Sequence, residues 1–232
     1  DMARPEGAAL IRRLAAEADV LVENFKVGGL AKYGLDYASI AAINPRIVYC
    51  SITGFGQTGP YAKRGGYDYL AQGMGGLMSV TGTPEGPPMK VGVAIADLST
   101  GMYATVSILM ALRHAERTGE GQQIDVSLLD TQIAMMANQA SSYLVSGKVP
   151  QRLGNRHPTV VPYTTFEVVG GTVILAVGND SQFRAFCNEM GRSEWGEDPR
   201  FATGPARVTN RHELERLIAE LLRHDPRAAL IA

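Results

Sequence analysis

The sequence predicts an α/β fold with a parallel sheet, followed by a connector and a smaller α+β domain. In the first half, short apolar strands alternate with amphipathic helical segments, as in sheets whose parallel strands are joined by helices. Glycines cluster between residues 54 and 86, where tight turns and close backbone approach are expected. A stretch with Pro and Gly, residues 148–162, separates this half from two apolar runs that flank Gly170 and Gly171, which is a hairpin signal.

The periodicity of the first half predicts three strands, at residues 20–22, 47–53 and 122–128. It predicts helices at residues 8–18, 36–43, 67–80, 97–117 and 129–145. In the second half it predicts strands at residues 163–169 and 172–177, and helices at residues 181–190 and 210–223. The expected domains are therefore residues 1–147 and 163–232, joined by the connector 148–162.

Composition excludes several classes of partner. The 22 basic and 23 acidic residues give a net charge of -1, which favours neither nucleic acid nor a membrane surface. No run of about 18 apolar residues occurs, so no transmembrane helix is predicted. Cys50 and Cys187 lie in apolar patterns typical of buried free thiols, which fits a reducing compartment. The four histidines and two cysteines have no metal-ligand spacing, so no metal site is expected.

Asp97 is the most informative residue. It follows the apolar run 91–96 and opens a long helical pattern, next to the unpaired N–H groups of a helix start. This environment favours the ionised carboxylate. Position alone indicates an N-cap, because Asp is among the best capping residues.

Neighbouring motifs add a chemical interpretation of Asp97. In order along the chain they read ENFKVGGL at 23–30, GFGQTGP at 54–60, GYDYLAQ at 66–72, DLSTG at 97–101, GEGQ at 119–122 and GNRHP at 154–158. Together they resemble the class III coenzyme A transferases, the formyl-CoA and carnitine-CoA transferase family, over residues 19–201. The resemblance implies that residues 1–147 are part of a large Rossmann-like CoA-binding domain. It also implies that the chain is an internal portion of a longer protein.

In this family an aspartate of the matching motif is the nucleophile, and Asp97 occupies that position. Such an aspartate takes the acyl group as a mixed anhydride and then CoA as a thioester. Asp125, within a predicted strand, and Asp130, interpreted as a helix cap, do not match the motif. The resemblance implies acyl-CoA and a carboxylic acid as substrates, no permanently bound cofactor, an interlocked homodimer, and a location in the cytoplasm or, in a eukaryote, the mitochondrial matrix.

The resemblance also suggests residues that contact CoA. Asn24 and Phe25 follow a predicted strand, in a segment that contacts the adenosine part of CoA in similar proteins. Lys32 and Arg64 could each meet a CoA phosphate, or be solvated surface cations. Tyr67 occupies the position of a histidine in the related 2-methylacyl-CoA racemases, or is a packed aromatic residue.

Several alternatives remain open at this stage. A racemase-type isomerase is disfavoured, because a tyrosine with a pKa of about 10 is a poor base near neutral pH. A non-catalytic CoA-binding module is the second alternative. Asp68 could orient the site or bond nearby backbone, and His157 could be a general base or a structural residue. Of the acids that the family exchanges, a dicarboxylate with succinyl-CoA as donor is favoured.

Overall fold

In a computed structural model, residues 1–226 are described and form two compact units. The first unit contains residues 1–82 and 87–152, and the second contains residues 83–86 and, among the described residues, 153–226. The predicted connector therefore begins in the first unit and ends in the second. The predicted second domain extends to residue 232, and its last six residues lie outside the described residues.

A parallel sheet forms the centre of the first unit. Its strands are β1 (Val20–Glu23), β2 (Val48–Thr53) and β3 (Gln122–Ser127), in the order β1-β2-β3. Both pairs are parallel, with Val22 opposite Cys50 and Cys50 opposite Ile124. This confirms the predicted α/β fold class and its parallel sheet.

Helices cover both faces of this sheet. They are α1 (Pro5–Glu17), α2 (Tyr37–Ile43), α3 (Asp68–Met74), α4 (Leu77–Val80), α5 (Ile95–Thr118), α6 (Leu128–Met135) and α7 (Ala137–Ser146). Successive residues of β2 point to opposite faces. Tyr49 accordingly belongs to a core with Ala15 of α1 and Ile40 of α2, whereas Cys50 belongs to a core with Ala104 of α5. A short 3-10 turn, Ala31–Tyr33, was not predicted.

The bounds of three predicted helices differ in ways that affect the site or divide the helix. The helix predicted over residues 67–80 is divided into α3 and α4 at Gly76, whose φ of 90° is in the left-handed region. The helix predicted over 129–145 is divided into α6 and α7, where Ala137 has a φ of 39°. Helix α5 begins at Ile95, two residues before the predicted start, so Asp97 lies inside its first turn.

Helix α5 is the one helix of the described residues that could cross a membrane by length and composition alone. Its small residues Ala104, Ala111 and Ala115 are buried within the first unit. One such helix is weak evidence for a membrane span, because length and composition alone do not distinguish it from a helix of a soluble protein.

The second unit contains the predicted hairpin, with β4 (Tyr163–Val168) antiparallel to β5 (Gly171–Ala176). Its helices are α8 (Asp180–Glu189), α9 (Ser193–Glu197), α10 (Gly204–Thr209) and α11 (Arg211–Leu222), of which α9 and α10 were not predicted. Phe166 of β4, Phe183 of α8 and Leu214 of α11 belong to one buried core.

Candidate active site

The carboxyl ends of β1 and β2 define one edge of the parallel sheet, and α/β folds bind ligands at this edge. Asn24 directly follows β1, and its Nδ2 donates a hydrogen bond of 2.7 Å to the carbonyl of Ile52 in β2. The Asn24 side chain thus ties the ends of the two strands together. The backbone N–H of Phe25 bonds to the Glu23 carboxylate, and the Phe25 ring is about half exposed.

Two glycines bring a distant segment to the end of β2. A Cβ added to Gly54 would lie 2.4 Å from the Cα of Gly66, and one added to Gly66 would lie 2.2 Å from the Cα of Gly54. The two backbones are therefore in direct contact, and neither position has room for a side chain. The contact places Tyr67, at the N-cap position of α3, and Asp68 next to the strand end. Tyr67 is 78% exposed, which excludes the packed-aromatic interpretation within this unit.

Asp68 links the start of α3 to the start of α5. Its Oδ1 accepts hydrogen bonds from the backbone N–H of Ala96, at 2.7 Å, and of Asp97, at 3.2 Å. Its Oδ2 accepts from Nε2 of Gln72 at 2.6 Å, and Oε1 of Gln72 accepts from the N–H of Val91 at 2.9 Å. The Gln72 side chain is completely buried. Asp68 therefore bonds to backbone N–H groups of the segment that carries Asp97.

Asp97 is the third residue of α5, and Ala94 occupies the N-cap position. The interpretation of Asp97 as an N-cap was wrong, because the helix already begins at Ile95 and Asp97 therefore lies within its first turn. Within residues 1–226, no donor bonds to the Asp97 carboxylate, which lies at the surface of the unit. Its position is that of an accessible carboxylate at the ligand-binding edge of a parallel sheet.

The pKa of Asp97 is raised above its ordinary value of 3.8. The larger cause is the partial loss of water around the carboxyl group, and the second is the negative charge of Asp68. The prediction that the helix start favours the ionised form was therefore wrong in direction. A carboxylate that lacks hydrogen-bond donors and is near a second negative charge is a stronger base and a better nucleophile than a capping one.

The two competing carboxylates have local partners. Oδ2 of Asp125 in β3 accepts from the N–H of Gln57 at 2.8 Å, which fixes the glycine-rich loop 54–60. The Asp130 carboxylate accepts from Oγ of Ser127 at 2.7 Å, and this Oγ accepts from the Asp130 N–H at 3.0 Å. The N-cap of α6 is therefore Ser127, and the interpretation of Asp130 as the cap was wrong.

The suggested phosphate contacts are exposed cations that lie over aromatic rings. Nζ of Lys32 lies 4.8 Å from the ring centre of Tyr33, and the guanidinium of Arg64 lies 4.3 Å from that of Tyr61. Both cations remain accessible to a ligand. Among the described residues, neither cation forms a hydrogen bond or ion pair with Asp97. Their contact with CoA stays a prediction.

A small cavity of about 50 Å³ lies at the same sheet edge, next to the Asn24–Phe25 segment. Glu23 and Lys26 line it together with Gln57. The Nε2 of Gln57 is buried and has no hydrogen-bond partner within residues 1–226. Sequence reasoning missed Lys26 and Gln57, although both lie inside the motifs that carry the resemblance.

His157 belongs to the second unit. Its Nδ1 accepts from the N–H of Thr159 at 3.2 Å, and its ring centre lies 5.2 Å from that of Tyr163. These contacts support a structural role, and the role of general base stays a prediction. In the part of the chain that the structure describes, no group of three or more His, Cys, Asp or Glu residues could hold a metal ion.

Comparison with protein families agrees with this geometry. The family described as CoA-transferase family III matches residues 1–232. The chain therefore belongs to CoA-transferase family III, as the motifs predicted.

Individual relatives support the same assignment. The chain is 55% identical over 233 residues to a succinate–glutarate CoA-transferase of Agrobacterium fabrum, covering all of this chain and 58% of that protein. It is 41% identical over 216 residues to the succinyl-CoA:glutarate CoA-transferase of Homo sapiens, covering 93% of this chain and 49% of the human protein. The chain thus spans about half the length of these relatives.

Solved structures confirm the fold. A CAIB/BAIF family protein from Brucella suis aligns with the whole chain at a TM-score of 0.84 and 53% identity, and the match covers 61% of that structure. The protein Rv3272 from M. tuberculosis aligns over the whole chain at a TM-score of 0.87 and 27% identity, again over 61% of its length.

Proposed function

We propose that the protein containing this chain transfers coenzyme A between an acyl-CoA and a carboxylic acid, with Asp97 as nucleophile. The observation that carries the proposal is the Asp97 carboxylate, which is exposed at the carboxyl edge of the sheet and accepts no hydrogen bond from residues 1–226. The other two candidate carboxylates are bonded to Gln57 and Ser127. Membership of CoA-transferase family III supports the same activity.

The reaction proceeds by exchange at the Asp97 carboxyl group. One Asp97 oxygen attacks the thioester carbonyl of the donor, so that an acyl–aspartyl anhydride forms and CoA leaves as a thiolate. The thiolate attacks the Asp97 carbonyl, which gives an aspartyl-CoA thioester and releases the donor acid. The acceptor carboxylate reverses both steps and leaves as its CoA ester. One thioester replaces another, so the exchange needs no external source of energy.

Asn24, Phe25, Lys32, Arg64 and Tyr67 are the proposed contacts for CoA. The small cavity beside Asn24 and Phe25 supports this assignment, because it lies at the same sheet edge as the strand ends. The exposed Tyr67 side chain would border the acyl part of the substrate, and the absence of a histidine at this position supports transfer rather than racemisation. The interlocked homodimer and the cytoplasmic location remain proposals taken from the family resemblance.

For the substrates we propose succinyl-CoA as donor and a dicarboxylate such as glutarate as acceptor. The support is the names of relatives, since those from Agrobacterium fabrum and Homo sapiens are described as transferases of succinate or succinyl-CoA with glutarate. An acetyl-CoA:oxalate CoA-transferase of Acetobacter aceti is 39% identical, so the acid pair needs a direct screen.

A trapping experiment tests the nucleophile. The full-length protein is incubated with succinyl-CoA and no acceptor, treated with hydroxylamine, and mapped by mass spectrometry. We expect a hydroxamate at Asp97, because without an acceptor acid the aspartyl-CoA thioester loses CoA only through slow hydrolysis. Asp97→Asn is the negative control, and Asp125→Asn is the matched variant that keeps the label. Transfer without any labelled aspartate would contradict the covalent mechanism.

A further inference from the structure

The first turn of α5 has an unusual distribution of hydrogen bonds. The first N–H groups of a helix have no partner within the helix and usually bond to a side chain at the N-cap. In α5 the N-cap residue is Ala94, which has no polar side chain. The N–H of Ile95 bonds to the Val93 carbonyl, and that of Leu98 bonds to the Ala94 carbonyl. The two N–H groups between them, of Ala96 and Asp97, both bond to Asp68.

This arrangement determines what the Asp97 carboxylate can bond to. An acidic side chain at the third helical position is close to the helix start and is attracted by its N–H groups and dipole. The N–H groups of Ile95, Ala96 and Asp97 already have partners, two of them in Asp68, and the negative charge of Asp68 repels a second carboxylate. The Asp97 carboxylate therefore remains without a donor from the helix.

The position of Asp68 is itself fixed by a buried residue. Gln72 lies one turn along α3, is completely buried, and donates to Oδ2 of Asp68. Its carbonyl oxygen accepts from Val91, in the segment that leads into α5. The Gly54–Gly66 contact fixes the start of α3 against the end of β2. Asp68 thus has a defined orientation before any substrate binds.

We propose that Asp68 is a positioning residue for the transfer reaction. It bonds to the N–H groups at the start of α5 in place of Asp97, and so keeps the Asp97 carboxylate free to attack a thioester. This inference rests on the proposed function. It assigns no contact between Asp68 and the substrate.

The first test replaces Asp68 in the full-length protein. In Asp68→Ala the freed N–H groups can bond to Asp97 itself, and we expect kcat to fall about a hundredfold, as for a displaced reacting group. The KM for the acyl-CoA should stay within about twofold, because a group that does not touch substrate contributes nothing to its binding. An unchanged kcat, or a loss confined to KM, would overturn the proposal.

A double variant tests whether activity depends on the hydrogen bonds that Asp68 makes rather than on correct folding alone. Asp68→Asn keeps an acceptor for the two N–H groups of α5. Its new amide nitrogen, however, faces the Nε2 of Gln72, so that two donors meet without an acceptor. Adding Gln72→Glu restores an acceptor for that N–H, keeps one for Val91, and preserves the negative charge near the helix start. We expect the pair to recover kcat to within about tenfold of wild type. A pair as impaired as Asp68→Ala, although it folds normally, would contradict the positioning role.

A readout without turnover keeps this inference distinct from the proposed function. The Asp97 carboxyl group can be titrated by carbon-13 NMR in protein labelled at aspartate, with Asp97→Asn used to assign its signal. In Asp68→Ala we expect the pKa of Asp97 to fall, and the amide exchange of Ala96 to accelerate. An unchanged Asp97 titration would overturn the positioning role even if wild type is an active transferase. Conversely, absence of transfer by wild type together with these shifts would remove only the proposed function.

Discussion

The starts of α5 and α6 have an aspartate at the same helical position but differ in what that aspartate bonds to. In α6 the N-cap is Ser127, and its hydroxyl both accepts from the Asp130 N–H and donates to the Asp130 carboxylate. In α5 the N-cap position is Ala94, and Asp68 from another helix accepts from the Asp97 N–H instead. Asp130 therefore has a local hydrogen-bond donor, whereas the Asp97 carboxylate has none within the described residues.

This difference shows that the partners of a helix start, here Ser127 in α6 and Ala94 with Asp68 in α5, set the chemical character of an aspartate in the first turn. A serine hydroxyl can donate to a carboxylate and stabilise its charge, so Asp130 is suited to a structural role. Alanine offers no donor, and the carboxylate of Asp68 can only accept. Asp97 consequently remains the more basic and more accessible group, which is what a carboxylate nucleophile requires.

The largest expected effect comes from replacing Asp97, and the same replacement of Asp130 is its matched comparison. Asp97→Asn removes the attacking oxygen of the covalent mechanism, and we expect kcat to fall by at least about a thousandfold. Asp130→Asn keeps an acceptor for the Ser127 hydroxyl, so transfer should stay within about twofold of wild type. Steady-state transfer assays with both variants, purified without contaminating wild type, measure the contrast. Similar losses in the two variants would remove the distinction between the helix starts.

A smaller effect is expected from giving α5 the kind of cap that α6 has. In Ala94→Thr the new hydroxyl is placed to accept from the Asp97 N–H and to donate to its carboxylate. A hydrogen bond to a charged group is worth about 1.5 kcal/mol, which corresponds to about a tenfold fall in kcat. Ala94→Val has nearly the same shape without the hydroxyl and serves as the matched control. Equal activities of the two variants would show that a donor at position 94 does not restrain Asp97.

The strands and the family motifs could be predicted from sequence because they depend on local signals. An apolar run defines β2, an alternation of polar and apolar residues defines β3, and the Gly170–Gly171 pair defines the hairpin. Divisions at Gly76 and Ala137 were missed because the helical pattern continues through both residues. At Ala137 local propensity favours a helix, so its positive φ is set by the surrounding structure, whereas at Gly76 the glycine itself permits the left-handed conformation that ends the helix.

The error about Asp97 has a different origin. Its position near a helix start was predicted correctly, but the donors of that start bond to Asp68, 29 residues earlier in the chain. The Gly54–Gly66 contact, which brings Asp68 there, depends on the packing of two loops and leaves no periodic signal. Local rules therefore placed Asp97 near a helix start but gave the wrong sign for the effect on its pKa, whereas its interpretation as the nucleophile came from the family resemblance.

The smallest expected effect concerns stability. The pKa of Asp97 in the folded protein is raised above its ordinary value, so the folded state binds this proton more tightly than the unfolded chain does. The free energy of unfolding therefore falls as the pH rises from the ordinary value through the raised one, and the loss persists at pH 7. Asp97→Asn removes that ionisation and should slightly raise Tm at pH 7, with a gain that shrinks toward about pH 4. Asp130→Ala is the counterpart, because it removes the partner of Ser127 and should cost up to about 1 kcal/mol. Thermal unfolding of both variants across this pH range measures the expected rise in Tm for Asp97→Asn and the expected fall for Asp130→Ala. If Asp97→Asn lowers Tm at pH 7, the Asp97 carboxylate stabilises α5.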